Sequence, residues 1–162
     1  MNITGDSLLE LLLIPMTDTK MVETIDALGW EQPVMDERYL EELSIDIGGS
    51  KQGGILFDFK EPNGHTPDGE PCLVQIDFYH DQKVKAPFGL LFSDNYQQCC
   101  EKIGHKADYN SELDDDMKIW IIDKKYILTI NFKNSELSNI RSFIINIFDE
   151  NNIDDDMYKN EE

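Results

Sequence analysis

Apolar residues change their spacing several times along this chain, and each change predicts an element. Asp6-Ser7 is suited to cap a short helix through Leu13, and Pro15 stops it, because the residue before a proline is pushed out of the helical region. Met21, Val22, Ile25 and Leu28 then recur at helical spacing, with Thr17 or Asp18 as cap and Gly29 as the closing residue. Residues 30–42 have no clear period. From residue 43 the spacing becomes two: Leu43, Ile45 and Ile47 alternate with Ser44 and Asp46. After the glycine-rich stretch 48–54, Ile55, Phe57 and Phe59 alternate with Leu56, Asp58 and Lys60. Val74, Ile76 and Phe78 alternate with Gln75, Asp77 and Tyr79. Between these two runs lie Asn63-Gly64 and Asp68-Gly69, both turn dipeptides.

The pattern then restarts. Ser93 or Asp94 is suited to cap a helix that turns Tyr96, Cys99, Cys100 and Ile103 inward and ends at Gly104. A polar loop over 105–116 leads to strands at 118–122 and 126–132, joined by Asp123-Lys124-Lys125, and to a last strand at 140–148. Each half therefore reads as a capped helix ending in an apolar residue plus glycine (Leu28-Gly29, Ile103-Gly104), followed by antiparallel strands. The expected fold is α+β: an antiparallel sheet of about six strands with two or three helices on one face, built from two related helix-plus-sheet units. The expected organisation is one domain over 1–148 and a disordered acidic tail over 149–162.

Charge narrows the function classes. The 162 residues hold 33 acids against 14 Lys and Arg, a net charge of −19. The tail has seven acids and one lysine, which leaves −13 on the rest. Contacts to phosphates need Lys or Arg, so nucleic acid is an unfavourable partner, and so is an anionic membrane surface. A basic protein partner is favoured by long-range attraction; a merely solvated acidic surface is the plainer reading. No stretch approaches the 18 apolar residues of a membrane span, and the start Met1-Asn2-Ile3-Thr4-Gly5-Asp6 lacks a basic signal-peptide region, so the cytoplasm is the expected compartment. Three cysteines, Cys72, Cys99 and Cys100, are an odd number with two adjacent, which reads as small core residues and not a disulfide framework.

Signals for catalysis or metal binding are weak. His65, His80 and His105 have no metal-ligand spacing. Asp114-Asp115-Asp116 lacks the spaced ligands and the turn glycine of a calcium loop. No nucleophile elbow, dinucleotide fingerprint or phosphate loop is present, and Cys99 and Cys100 sit within a helix, away from the N-terminus that would stabilise a thiolate. No catalytic residue, cofactor or metal is expected. Carboxylate pairs carry little information in a chain with 33 acids.

Four phrases taken together resemble a known group. They are Leu8-Leu9-Glu10-Leu11-Leu12 with Pro15 and the run from Val22 to Leu28-Gly29; Gly54-Ile55-Leu56-Phe57-Asp58-Phe59; Ala86-Pro87-Phe88-Gly89-Leu90-Leu91-Phe92-Ser93-Asp94 running on to Lys102-Ile103-Gly104; and Trp120 with 126–132 and 140–147. Their order resembles small bacterial immunity proteins of polymorphic toxin systems, type VI or contact-dependent, and the third phrase is similar to a repeat unit of the β-lactamase-inhibitor type of fold. The chain departs from that pattern at His105-Lys106-Ala107, where the group usually has a proline, and in its long loop before Pro71. The resemblance implies a protein that binds a cognate toxin and occludes its active site, with no catalytic residues. An adaptor or chaperone for a secreted effector, and a small carboxylate-dependent hydrolase, are the alternatives. If helices cover one sheet face, the other carries Asp58, Gln75, Asp77, Tyr79, Thr129 and Asn131, with Glu112, Asp114, Asp115 and Asp116 at its rim. These are the expected partner-binding residues.

Overall fold

Phe57 and Ile76, each in the middle of an alternating run, are fully buried and directly paired across two antiparallel strands. The computed structural model describes residues 2–35, 44–61, 70–80, 82–111, 115–148 and the backbone of 157–159. It divides into two compact units, Met1–Pro87 and Phe88–Glu162. Each unit is helix followed by antiparallel strands, so the expected α+β class and two-unit plan hold, with eight strands among the described residues in place of about six.

In the first unit, helix α1 (Gly5–Leu9) and helix α2 (Thr19–Ala27) precede strands β1 (Ile45–Gly49), β2 (Ile55–Lys60) and β3 (Cys72–Tyr79). The cap of α1 is Thr4, one turn earlier than Asp6-Ser7 suggests: Thr4 and Ser7 exchange side-chain and backbone hydrogen bonds in a capping box, and Ser7 is its third helical residue. Gly5 allows this start to pack tightly. Its N–H donates to the Lys85 carbonyl at 2.6 Å, and a Cβ there would lie 2.3 Å from the Pro87 nitrogen. The chain leaves the turn through Leu13, at φ 68°, and residues 13–16 run antiparallel to the start of β3, with Leu13 and Leu73 linked at 2.8 Å. Asp18 caps α2, and Gly29, at φ 77°, follows its end.

Strand β1 runs on into the glycines that were expected to be turn, with Gly48 opposite Leu56 and Gly49 opposite Ile55. Trp30 explains this. Its ring stands edge-on to Phe57 at 5.2 Å, its Nε1 donates to the Gln52 carbonyl at 3.0 Å, and a Cβ on Gly48 would come within 2.8 Å of it. Only a residue without a side chain lets the indole reach Phe57. Leu43 and the turn dipeptides at 63–64 and 68–69 lie outside the described residues, as does His65.

In the second unit, helix α3 (Tyr96–Ile103) precedes β4 (Tyr109–Ser111), β5 (Met117–Ile122), β6 (Tyr126–Phe132), β7 (Ile140–Ile147) and β8 (Met157–Lys159), in the spatial order β7-β6-β5-β4-β8. Asn95, and neither Ser93 nor Asp94, caps α3, in a capping box with Gln98. Asp94 has another task. Almost fully buried, it accepts the Leu91 N–H at 2.8 Å and pairs with Lys102 at 2.7 Å, tying the loop to the helix. Trp120 is fully buried in this unit, Tyr96 packs against it at a tilt with ring centres 5.8 Å apart, and its Nε1 donates to the His105 carbonyl. Cys99 is fully buried, and burial, reinforced by Asp94, pushes its thiol up to about 12, which makes it the inert core residue expected.

Two stretches differ from expectation. The polar loop over 105–116 contains β4, whose Asn110 and Ser111 are buried. Within the expected disordered tail, Met157–Lys159 pairs with β4, which leaves β4 flanked on both sides. Its backbone groups gain partners that local composition cannot reveal. Residues 149–156 and 160–162 lie outside the described residues.

Truncating Phe57 to Ala removes a ring that touches both Trp30 and Phe59, and should cost about 3–5 kcal/mol in urea denaturation. A loss below about 1 kcal/mol would show that the ring is not a core element. The β5–β6 turn offers the opposite effect. Asp123 and Lys124 both have positive φ, 52° and 54°, in a turn closed by Lys125 N–H to Ile122 O at 2.9 Å. Lys124→Gly removes side-chain strain there and should leave stability unchanged or raise it by up to about 1 kcal/mol. A clear drop in the denaturation midpoint would contradict this.

Candidate protein-binding face

Alternation that buries Phe57 and Ile76 on one face of the first unit's sheet puts its neighbours on the other. Asp46 on β1, Asp58 on β2 and Gln75 on β3 form one cross-strand row. Asp77 lies opposite Leu56 in the next row, diagonal to Asp58 and about 7–8 Å from it backbone to backbone. Tyr79 follows on β3. The register shifts at Asp58/Phe59, where Val74 is the extra residue on β3, and Phe59 then faces Leu73.

Asp58 does not lie on a solvated surface as the sequence suggested. It is 7% exposed, because β1 and β3 flank it on both sides. Lys60 reaches Asp58 Oδ2 at 3.4 Å from a half-exposed position. Asp58 Oδ1 is buried with no donor to satisfy it among the described residues. The carboxyl facing it across the strand pair, Asp46, lies within hydrogen-bonding reach and is itself an acceptor unless a proton lies between them. Burial first, and then Asp46, push the Asp58 carboxyl up to about 7, against the pull of Lys60.

Asp77 is held on both sides by its own strand. Gln75 Nε2 donates to its Oδ1 at 2.7 Å and the Tyr79 hydroxyl to its Oδ2 at 3.3 Å. Burial raises its pKa, while the two donors oppose the rise, and Asp46 contributes a like charge. Burial and the neighbouring Asp77 raise the Tyr79 hydroxyl. Asp46 is exposed and the other groups are half-buried around Asp58. Asp46, Asp58, Gln75, Asp77 and Tyr79 thus form one acidic patch with fixed orientations. Asp46 is the member that the sequence reading left out, although its place in the 43–47 alternation put it beside the others.

The remaining expected residues are placed differently. Thr129 and Asn131 share a face of β6 in the second unit, half-buried, where Thr129 lies between Ile119 and Ile144 and Asn131 donates to Ser142 Oγ at 3.4 Å. This face mixes isoleucines (Ile119, Ile121, Ile127, Ile144) with Thr129, Asn131, Ser142 and Asn146, and carries no acid. Asp115 is exposed and the Asp116 carbonyl accepts the Phe132 N–H, while Glu112 and Asp114 lie outside the described residues.

An open cleft of about 710 Å³ in the first unit shares Asp46 with this patch and is also lined by Trp30, Glu31, Lys51, Gln52 and Lys83, among others. It carries two acids and two lysines. Asp58 and Asp77, whose carboxyl pKa values are raised, are not among its lining residues. Among the described residues no group of three His, Cys, Asp or Glu side chains is placed to hold a metal ion, and no helix is long and apolar enough to cross a membrane. No family model, curated protein or solved structure matches the chain.

Asp58 makes the fold sensitive to pH in a defined direction. Its folded pKa, about 7, lies above the ordinary carboxylate value, so the folded state binds the extra proton. The group therefore favours folding at low pH, loses that contribution as pH rises from about 4 to 7, and changes little above. Asp58→Asn cannot ionise and its amide can donate to Asp46. It should gain stability relative to the parent at pH 8 and not at pH 4, measured by chemical denaturation at both. An equal effect at the two pH values would mean that Asp58 ionises normally.

Proposed function

We propose that this chain is an immunity-type binding protein that recognises a basic toxin domain and neutralises it by covering its active site. The observation that carries this reading is the convergence of three aspartates and a tyrosine on one sheet face, in a chain of net charge −19. Carboxylates held at fixed positions by strand geometry lose little entropy when a cationic surface docks. Tyrosine is enriched at the energetic centres of interfaces. The toxins best suited to this charge pattern are those that act on nucleic acid, since their clefts are basic for the sake of phosphate. The fold class agrees with what the resemblance implies. Neither a membrane nor a nucleic acid is a partner in this reading, and no catalytic residue is assigned.

Co-expression with the product of the adjacent gene tests it. The chain should form a stable complex with that product and restore growth to cells poisoned by it. Asp58 sits mid-sheet and would unfold the unit if made Lys, so the interface variant is Asp46→Lys with Asp77→Lys. This pair should weaken the complex by about 2–5 kcal/mol while the circular dichroism spectrum stays that of the parent. Asn at Asp115 and Asp116 should instead slow association and flatten its salt dependence. Full protection by the Asp46/Asp77 double variant would move the interface off this face, and failure to bind or protect against the neighbouring product would sink the immunity reading.

A further inference from the structure

Asp58 Oδ1 poses a specific question: what donor is it shaped for? A buried acceptor without a donor is costly, and sheet faces seldom retain one without a use for it. Lys60 serves only the other oxygen, at 3.4 Å, and its side chain is 40% exposed, so it is loosely held and free to move aside. Asp46 and Asp58 sit directly opposite on adjacent strands, an arrangement that strand pairing disfavours for like charges unless something lies between them. A proton is one such object. A planar group with several N–H donors is another, because its in-plane edges can serve two carboxylates at once.

We propose that Asp46, Asp58 and Asp77 together seat one guanidinium group, an arginine of a basic protein partner, with Asp58 Oδ1 as the acceptor that it satisfies. This rests on the reading of the chain as a binder of a basic protein and names the group that the acidic face recognises. Asp77 is already oriented by Gln75 and Tyr79, and Tyr79 provides an aromatic wall on which a guanidinium stacks. A lysine ammonium offers its three donors from a single point and spans the row less well than a planar guanidinium, so arginine is preferred. The seat is proton-linked. The charged groups acting on Asp58 among the described residues are Asp46 from β1 and Lys60 from its own strand; Asp77 and Tyr79 from β3 complete the patch through Asp46, whose charge acts on both. The arriving cation displaces the proton held at Asp58, so binding tightens as pH rises through 7.

The test uses the full chain with capped hexa-arginine and capped hexa-lysine peptides at low salt, followed by calorimetry and by carboxyl ¹³C NMR. The arginine peptide should shift the side-chain resonances of Asp46, Asp58 and Asp77, and bind about tenfold more tightly at pH 8 than at pH 6 with proton release, as one carboxyl titrating near 7 requires. Asp58→Asn should cut that affinity at least about tenfold, or one factor of 1.4 kcal/mol, and remove the pH dependence. Asp77→Asn is the second variant should the first unfold. Equal affinity for the lysine peptide would overturn the proposal. So would shifts confined to other acids, or binding by both variants at the parent's strength. The two readings fail separately. Toxin neutralisation without an arginine-selective seat leaves the function standing and removes the seat, whereas a selective seat without neutralisation does the reverse.

Discussion

Phe57 has to be dry, and much of the first unit follows from that requirement. Burying a phenylalanine of this kind is worth roughly 1.5–3 kcal/mol, so the strand cannot rotate it outward. Trp30 completes the enclosure from beyond α2, and it can do so only because Gly48 has no side chain. With the Phe57 side settled, strand geometry leaves the next residue no choice. Asp58 must point to the opposite face, in the middle strand of three, where β1 and β3 cut it off from water.

That placement converts a packing constraint into an electrostatic one. A carboxyl on an edge strand would stay solvated and ordinary. In the middle row, facing Asp46, it holds a proton to near neutrality and keeps one oxygen unserved. The fold tolerates this because the proton removes the charge that burial penalises. Under the proposed function, a partner that brings the missing donor gains what the free protein lacks. Asp77 contrasts with it: Gln75 and Tyr79 satisfy both of its oxygens, and it serves as a fixed wall of the patch.

The second unit solves a similar packing problem with different side chains. Trp120 is fully buried with Tyr96 from α3 packed at a tilt against it, and the pair between buried Asp94 and Lys102 binds the preceding loop to the helix. The β6 face around Thr129 mixes isoleucines with uncharged polar residues and carries no carboxylate. The acidic patch is therefore a property of the first unit's strands and not of the helix-plus-sheet plan as such.

Periodicity alone determined a good deal. Apolar spacing located α2, α3, β2, β5, β6 and β7, because each has a continuous run whose period is set by local backbone geometry. It also determined that Phe57 and Ile76 are core, and that Asp58, Gln75 and Asp77 face away from them. The glycines of β1 looked like turn, because nothing local announces an indole arriving from Trp30. Asp94 looked like a cap, because its ion pair with Lys102 spans a whole helix. Strands β4 and β8 were illegible, since each is three residues long and exists through pairing: β4 with β5 and β8, and β8 with β4. Above all, the order of residues could say which face Asp58 takes but not how wet that face is. Its burial, and with it the proton and the unserved oxygen, depends on strands distant in sequence closing on both sides, which only tertiary structure decides.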